Sequence, residues 1–143
     1  MKISELDDML TSDLAVTEDD IVKASLETPT LHAKWMKFMT DQGYKVHALK
    51  QKMDRLKKAK WKYYTGRATA GVYAKNPFHE KLRSNSEIEI WIDGDDDILN
   101  LKDKIYREEM LFNRLSEAVK TIQFRHMNIK NAVEWHKLQS GLV

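Results

Sequence analysis

Cysteine is absent from all 143 residues, which excludes disulfides, thiolate metal sites and thiol nucleophiles together. Proline occurs only twice, at Pro29 and Pro77, and neither proline nor glycine interrupts the stretch from Ile98 to Ser140. Long apolar runs are missing as well, so no segment is expected to cross a bilayer. The opening residues MKISELDD are acidic and lack the apolar run of a signal peptide, which predicts a soluble, cytosolic chain. There is no GxxxxGK[ST], no GxGxxG, no HExxH and no serine in an elbow motif. Catalysis is therefore not expected, and no cofactor is called for.

What is present is charge in helical spacing. Charged residues make up 32% of the chain against 42% hydrophobic, a balance that suits elongated helices better than a compact sandwich. The length allows one domain, or one helical protomer with its own core. From Lys45 to Arg67 the chain carries Lys45, Lys50, Lys52, Arg55, Lys57, Lys58, Lys60, Lys62 and Arg67 against Asp54 alone, a local charge of +8 in a molecule of +2 overall. Trp61, Tyr63 and Tyr64 are interleaved with these cations. Concentrated positive charge attracts a polyanion, and flat aromatic faces offer stacking to unpaired bases, so the segment points to single-stranded nucleic acid. The same pattern also describes a solvated helix face whose aromatics belong to a core.

The chain divides into four segments. Residues 1–28 form an acidic stretch in which Ile3, Leu6, Met9 and Leu10 fall at helical spacing, and Thr17 before Glu18, Asp19 and Asp20 has the form of a second helix start. Thr28 and Pro29 read as N-cap and first position of a long helix over 29–67, with Gly66 as its stop. Along it Trp35, Met39, Gln42, Val46, Leu49, Met53, Leu56, Lys60 and Tyr63 step by four and three, a seam of coiled-coil type; Gly43 predicts a local bend.

Residues 68–94 read as a loop with a brief helical turn near His79–Leu82, and the alternation of Ile88, Ile90 and Ile92 predicts a short strand over 87–92. Asp95, Asp96 and Asp97 then precede a helix over 95–141. Its seam is Ile98, Leu101, Ile105, Glu108, Phe112, Leu115, Val119, Ile122, His126, Ile129, Val133 and His136, and Gly141 marks its end. Two long helices cannot by themselves bury both seams plus Met110, Leu111 and Trp135, so self-association through the last helix is expected, with Ile98, Leu101, Ile105, Phe112, Leu115, Val119, Ile122, Ile129 and Val133 as its contacts. The fold class is thus mainly α: two long amphipathic helices, short N-terminal helices and a central loop.

Three other readings carry less. The run Asp93–Asp97 lacks the sixth-position glycine and twelfth-position glutamate of a calcium loop and reads as a helix cap. His32, His47, His79, His126 and His136 have no metal-ligand spacing, and the last two read as partly buried or interfacial. A membrane-surface role for the basic helix conflicts with its apolar seam, which other helices engage.

The motifs HAKWM, LKKAKWKYYTGRAT, IDGDDDI and IKNAVEW, in this order over nearly the whole chain, resemble the UvsY family, recombination mediators of T-even-like bacteriophages and cyanophages. The resemblance implies a helical ring of six or seven subunits in the cytoplasm of an infected bacterium. It implies binding of single-stranded DNA and loading of a phage RecA-like recombinase onto strands covered by the phage single-stranded-DNA-binding protein. The family's basic LKAR motif corresponds to Lys57, Lys58, Ala59 and Lys60, which makes Lys58 and Lys60 the leading DNA contacts. Lys57 replaces Leu and Lys60 replaces Arg, so backbone contact is retained while the planar fork is lost. The DNA-binding set is then Lys45, Lys50, Lys52, Arg55, Lys57, Lys58, Lys60, Trp61, Lys62, Tyr64 and Arg67. The rival functions are an oligomeric scaffold that binds only proteins and a general duplex-DNA architectural protein.

Overall fold

The computed structural model describes residues 1–141, and among these every regular element is helical. In order they are α1 (Ile3–Leu14), a 3-10 turn (Glu18–Asp20), α2 (Ile21–Tyr64), α3 (Ala70–Lys75), α4 (Asn85–Asp93) and α5 (Asp96–Gln139). The chain forms two compact units: residues 1–43 with 110–143, and residues 44–109.

In the first unit Leu6 of α1, Trp35 of α2 and Leu111, Leu115, Ala118, Val119 and Ile122 of α5 make the core. Trp35 is fully buried, and its indole Nε1 donates to Asp13 Oδ2 at 3.0 Å, so the one polar atom of the ring is satisfied. Lys34 Nζ donates to the same oxygen at 2.7 Å. The predicted opening at Thr28–Pro29 is corrected here, because α2 runs on through Pro29 from Ile21. Thr28, buried at that point, turns its hydroxyl back to the Ala24 carbonyl at 2.8 Å. At Gly43, the expected position of a bend, the helix continues without a break. A Cβ there would meet Phe112 Cε2 at 3.3 Å, so the glycine makes room for a ring packed on the helix.

The second unit has a core of Leu49, Met53, Tyr64, Ile92, Ile98 and Leu101. Here the expected strand is a helix. Ser84 caps α4 by accepting from the Glu87 amide, and the Glu87 carboxylate accepts from the Arg83 amide at 2.7 Å. With helical spacing Ile88 and Ile92 turn inward, whereas Ile90 stands 70% exposed. The brief helical turn lies at Ala70–Lys75, not His79–Leu82.

Every predicted seam position of α2 is buried or half-buried. On α5 all are except His126, which is exposed while Arg125 takes the inward place. Leu111 and Ala118 join the buried stripe because α5 packs on both α1 and α2 in the first unit and needs a wider apolar face than a two-helix seam.

Candidate nucleic-acid interface

The basic segment lies wholly within the second unit, on the last part of α2. A helix advances 100° per residue, so with Met53, Leu56, Lys60 and Tyr63 turned inward the opposite side is occupied by Arg55, Lys58 and Lys62. Lys52 and Lys57 flank this ridge, and all five are exposed. Among the described residues none of them, nor Arg67, takes part in an ion pair, so their charges are uncompensated within the protomer.

The remaining cations are engaged. Lys45 pairs with Glu108 at 3.1 Å and Lys50 with Glu109 at 2.7 Å. Lys60 bridges Asp95 at 3.2 Å and Asp97 at 2.8 Å, its side chain only 19% exposed. Burial works to lower its pKa, yet the bonds to Asp97 and Asp95 prevail and raise it above 10.5. Asp95 itself performs three tasks. Its Oδ1 accepts from the amides of Asp97 at 2.9 Å and Ile98 at 3.3 Å, capping α5, while Oδ2 receives Lys60 and, at 2.5 Å, the Tyr64 hydroxyl. Burial favours the neutral acid, but the Tyr64 and Lys60 bonds outweigh it and hold the carboxyl below its usual 3.8. Burial, then the bond to Asp95, pushes the Tyr64 phenol far upward.

Tyr64 is therefore core, 8% exposed, and offers no free face for a base. Trp61 remains at the surface, 38% exposed, with the Arg67 guanidinium 4.7 Å from its ring centre. Arg67 reaches it because α2 ends in a Schellman turn. Gly66 has φ of 77°, the Arg67 amide bonds back to the Lys62 carbonyl at 2.8 Å, and the Gly66 amide to that of Tyr63 at 3.3 Å.

Of the nine contacts expected between copies, six serve the protomer's own core and three are partly accessible. Ile98, Leu101, Leu115, Val119, Ile122 and Ile129 are buried within the protomer, and Ile105, Phe112 and Val133 are half-buried. Opposite them α5 exposes Phe124, Met127, Trp135 and Leu138, spaced three, eight and three residues apart and hence along one stripe. The signal for this second stripe was present in the sequence but was overshadowed by the longer heptad seam. Trp91 of α4, 39% exposed, is the aromatic that the strand reading missed. The S-x-x-E pattern of Ser84–Glu87 before an apolar run would have signalled it. Among the described residues no helix is long and apolar enough to cross a membrane, and no three acidic or histidine side chains gather as a metal site.

Among the described residues the protein is thus all-helical in its regular elements and leaves a ridge of unpaired cations beside the surface ring of Trp61. Residues 9–142 match the family described as recombination, repair and ssDNA binding protein UvsY, and the chain belongs to that family. Crystal structures of the bacteriophage T4 recombination mediator protein UvsY have the same fold: the type II lattice form superposes with a TM-score of 0.85 at 18% identity over 98% of each chain. The type I form gives 0.83 at 18% identity over 94% of this chain and 98% of that one. No curated protein sequence matches.

Proposed function

We propose that the protein is a recombination mediator that binds single-stranded DNA as a closed oligomer and promotes loading of a RecA-like recombinase onto strands covered by a single-stranded-DNA-binding protein, in the cytoplasm of a phage-infected bacterium. The observation that carries this reading is the uncompensated ridge of Arg55, Lys58 and Lys62, with Lys52, Lys57 and Arg67 beside it and Trp61 at its margin. Family membership over residues 9–142 supports it independently. In this reading the ridge holds phosphates, and Lys60 and Tyr64 act by fixing the end of α2 rather than by touching the strand.

Oligomerisation multiplies the ridge. Several weak phosphate contacts on one ring act at high effective concentration, so a modest protomer affinity becomes tight binding to a strand that spans subunits. The surface for that assembly is the exposed stripe of Phe124, Met127, Trp135 and Leu138 in place of the seam already consumed by the protomer core. The test is fluorescence anisotropy with labelled single- and double-stranded oligonucleotides across a salt series, with the mass in solution recorded alongside. Salt-sensitive preference for the single strand is expected, with a log–log slope that flattens by about 0.7 for each ridge cation replaced by Ala. Equal affinity for duplex, or none for either, overturns the reading. Trp135→Glu is expected to yield protomers that bind a long strand far more weakly.

A further inference from the structure

Beside the ridge the second unit contains a groove of about 1210 Å³, into which the end of α2, the following segment, α4 and the start of α5 all project side chains. Its volume exceeds the ~300–1,000 Å³ usual for a small-molecule site, which suits a length of polymer more than a compact metabolite. Its lining carries Lys62, Arg67 and Asp96 together with Lys60, Asp95 and Asp97, which are paired with one another. Trp91, Ile90 and Val72 also line it and are 39%, 70% and 40% exposed.

Trp91 is also fixed in orientation. Phe78 meets it edge-on with centroids 5.4 Å apart, and Tyr64 lies tilted at 5.9 Å. Tyr64 is held in turn by Asp95, so the indole is supported from below by a bonded core and needs no ordering when a ligand arrives.

On the strength of the single-strand reading above, we infer that this groove is a nucleobase site: the strand runs along the ridge with its phosphates on Lys62 and Arg67, and a base turns inward to stack on Trp91. The polarity of the groove fits that occupant. Phosphates meet Lys62 and Arg67, and the Asp96 carboxylate accepts from the exocyclic amino groups that cytosine, adenine and guanine carry. Thymine lacks such a group and offers that carboxylate only its ring N3–H. A duplex keeps its bases paired and cannot enter, so the groove is a physical source of preference for single strands.

The experiment uses the full-length protein and two labelled oligonucleotides of equal length and phosphate count, one of deoxycytidines and one abasic. The wild type is expected to bind the base-bearing strand more tightly. Trp91→Ala should weaken binding to it by about 5- to 150-fold, the range for one lost base–aromatic stack, while leaving abasic binding and the salt slope unchanged. Trp91→Phe should restore most of the loss. Ile90→Ala, at a position 70% exposed, supplies a second variant that leaves the core of α4 intact and is expected to reduce the same ratio less. Asp96→Ala should lower the preference for cytosine over thymine. If wild type and Trp91→Ala show the same base-to-abasic ratio, or if the wild type binds both strands equally, the base site is overturned while phosphate binding stands. Absence of any salt-sensitive single-strand binding by the wild type would overturn both.

Discussion

Each of the two units fastens its core with the same three-part device: a buried aromatic with a polar tip, a lysine, and one aspartate oxygen that serves both. In the first unit Trp35 and Lys34 share Asp13; in the second Tyr64 and Lys60 share Asp95. The aspartates differ in position. Asp13 lies in the last turn of α1, where the helix dipole disfavours an anion, whereas Asp95 precedes α5 and caps its first amides. A carboxylate at a helix start thus does the work of a cap and a clasp together, whereas the clasp of the first unit has no capping role.

That contrast can be broken from either side. Trp35→Ala is expected to give the largest loss, about 3–5 kcal/mol in urea denaturation, because it empties the centre of the first core. Asp95→Ala should cost about 2–4 kcal/mol, combining a lost cap with two donors left without their acceptor, and Asp13→Ala only about 1–2 kcal/mol. Asp13→Ala costing as much as Asp95→Ala would show that capping adds nothing.

The pH dependence sharpens the point. Because the folded protein holds Asp95 below 3.8, its contribution is complete above that value and disappears as pH falls through the lower folded pKa. Denaturation midpoints between about pH 2 and pH 6 should therefore fall on the acid side, and Asp95→Asn should flatten that fall. Lys60 titrates in the opposite sense, since its raised pKa makes its contribution complete below 10.5 and lost as pH climbs through the folded value. Lys58→Ala should weaken single-strand binding with an unchanged melting temperature, whereas Lys60→Ala should lower the melting temperature. A last pair separates helix from strand at α4: Ile92→Ala should cost about 2–5 kcal/mol and Ile90→Ala under about 0.5, where a strand with both on one face predicts similar losses.

Helical architecture, the α2 seam and the acidic cap of α5 were legible in the sequence because period and capping chemistry are local. Three things were not. The alternation at Ile88–Ile92 imitates a strand over five residues, too short a window for period alone, and the capping pair Ser84–Glu87 decides it. Pro29 looks like a helix start, yet its missing amide removes one bond from a helix held by tertiary packing on both sides of it. The division of the cations was also invisible, because spacing places Lys60 on the inward side without revealing that Asp95 and Asp97 wait there. Tyr64 was misjudged for the same reason, since its partner is 31 residues away.

The absence of intramolecular partners along the ridge has a consequence for how such a protein changes over generations. Among the described residues the side chains of Arg55, Lys58 and Lys62 have no ion-pair partner, so exchanges between arginine and lysine, or the loss of one cation, alter the proposed grip on a polyanion without disturbing the protomer. The clasp at Asp95 has no such latitude, since one substitution there touches a cap, a phenol and an ammonium at once. If the ridge holds a strand as proposed, a lineage can tune how long it stays there by drifting along one face of a helix, while the clasp at the end of that helix keeps the face in register.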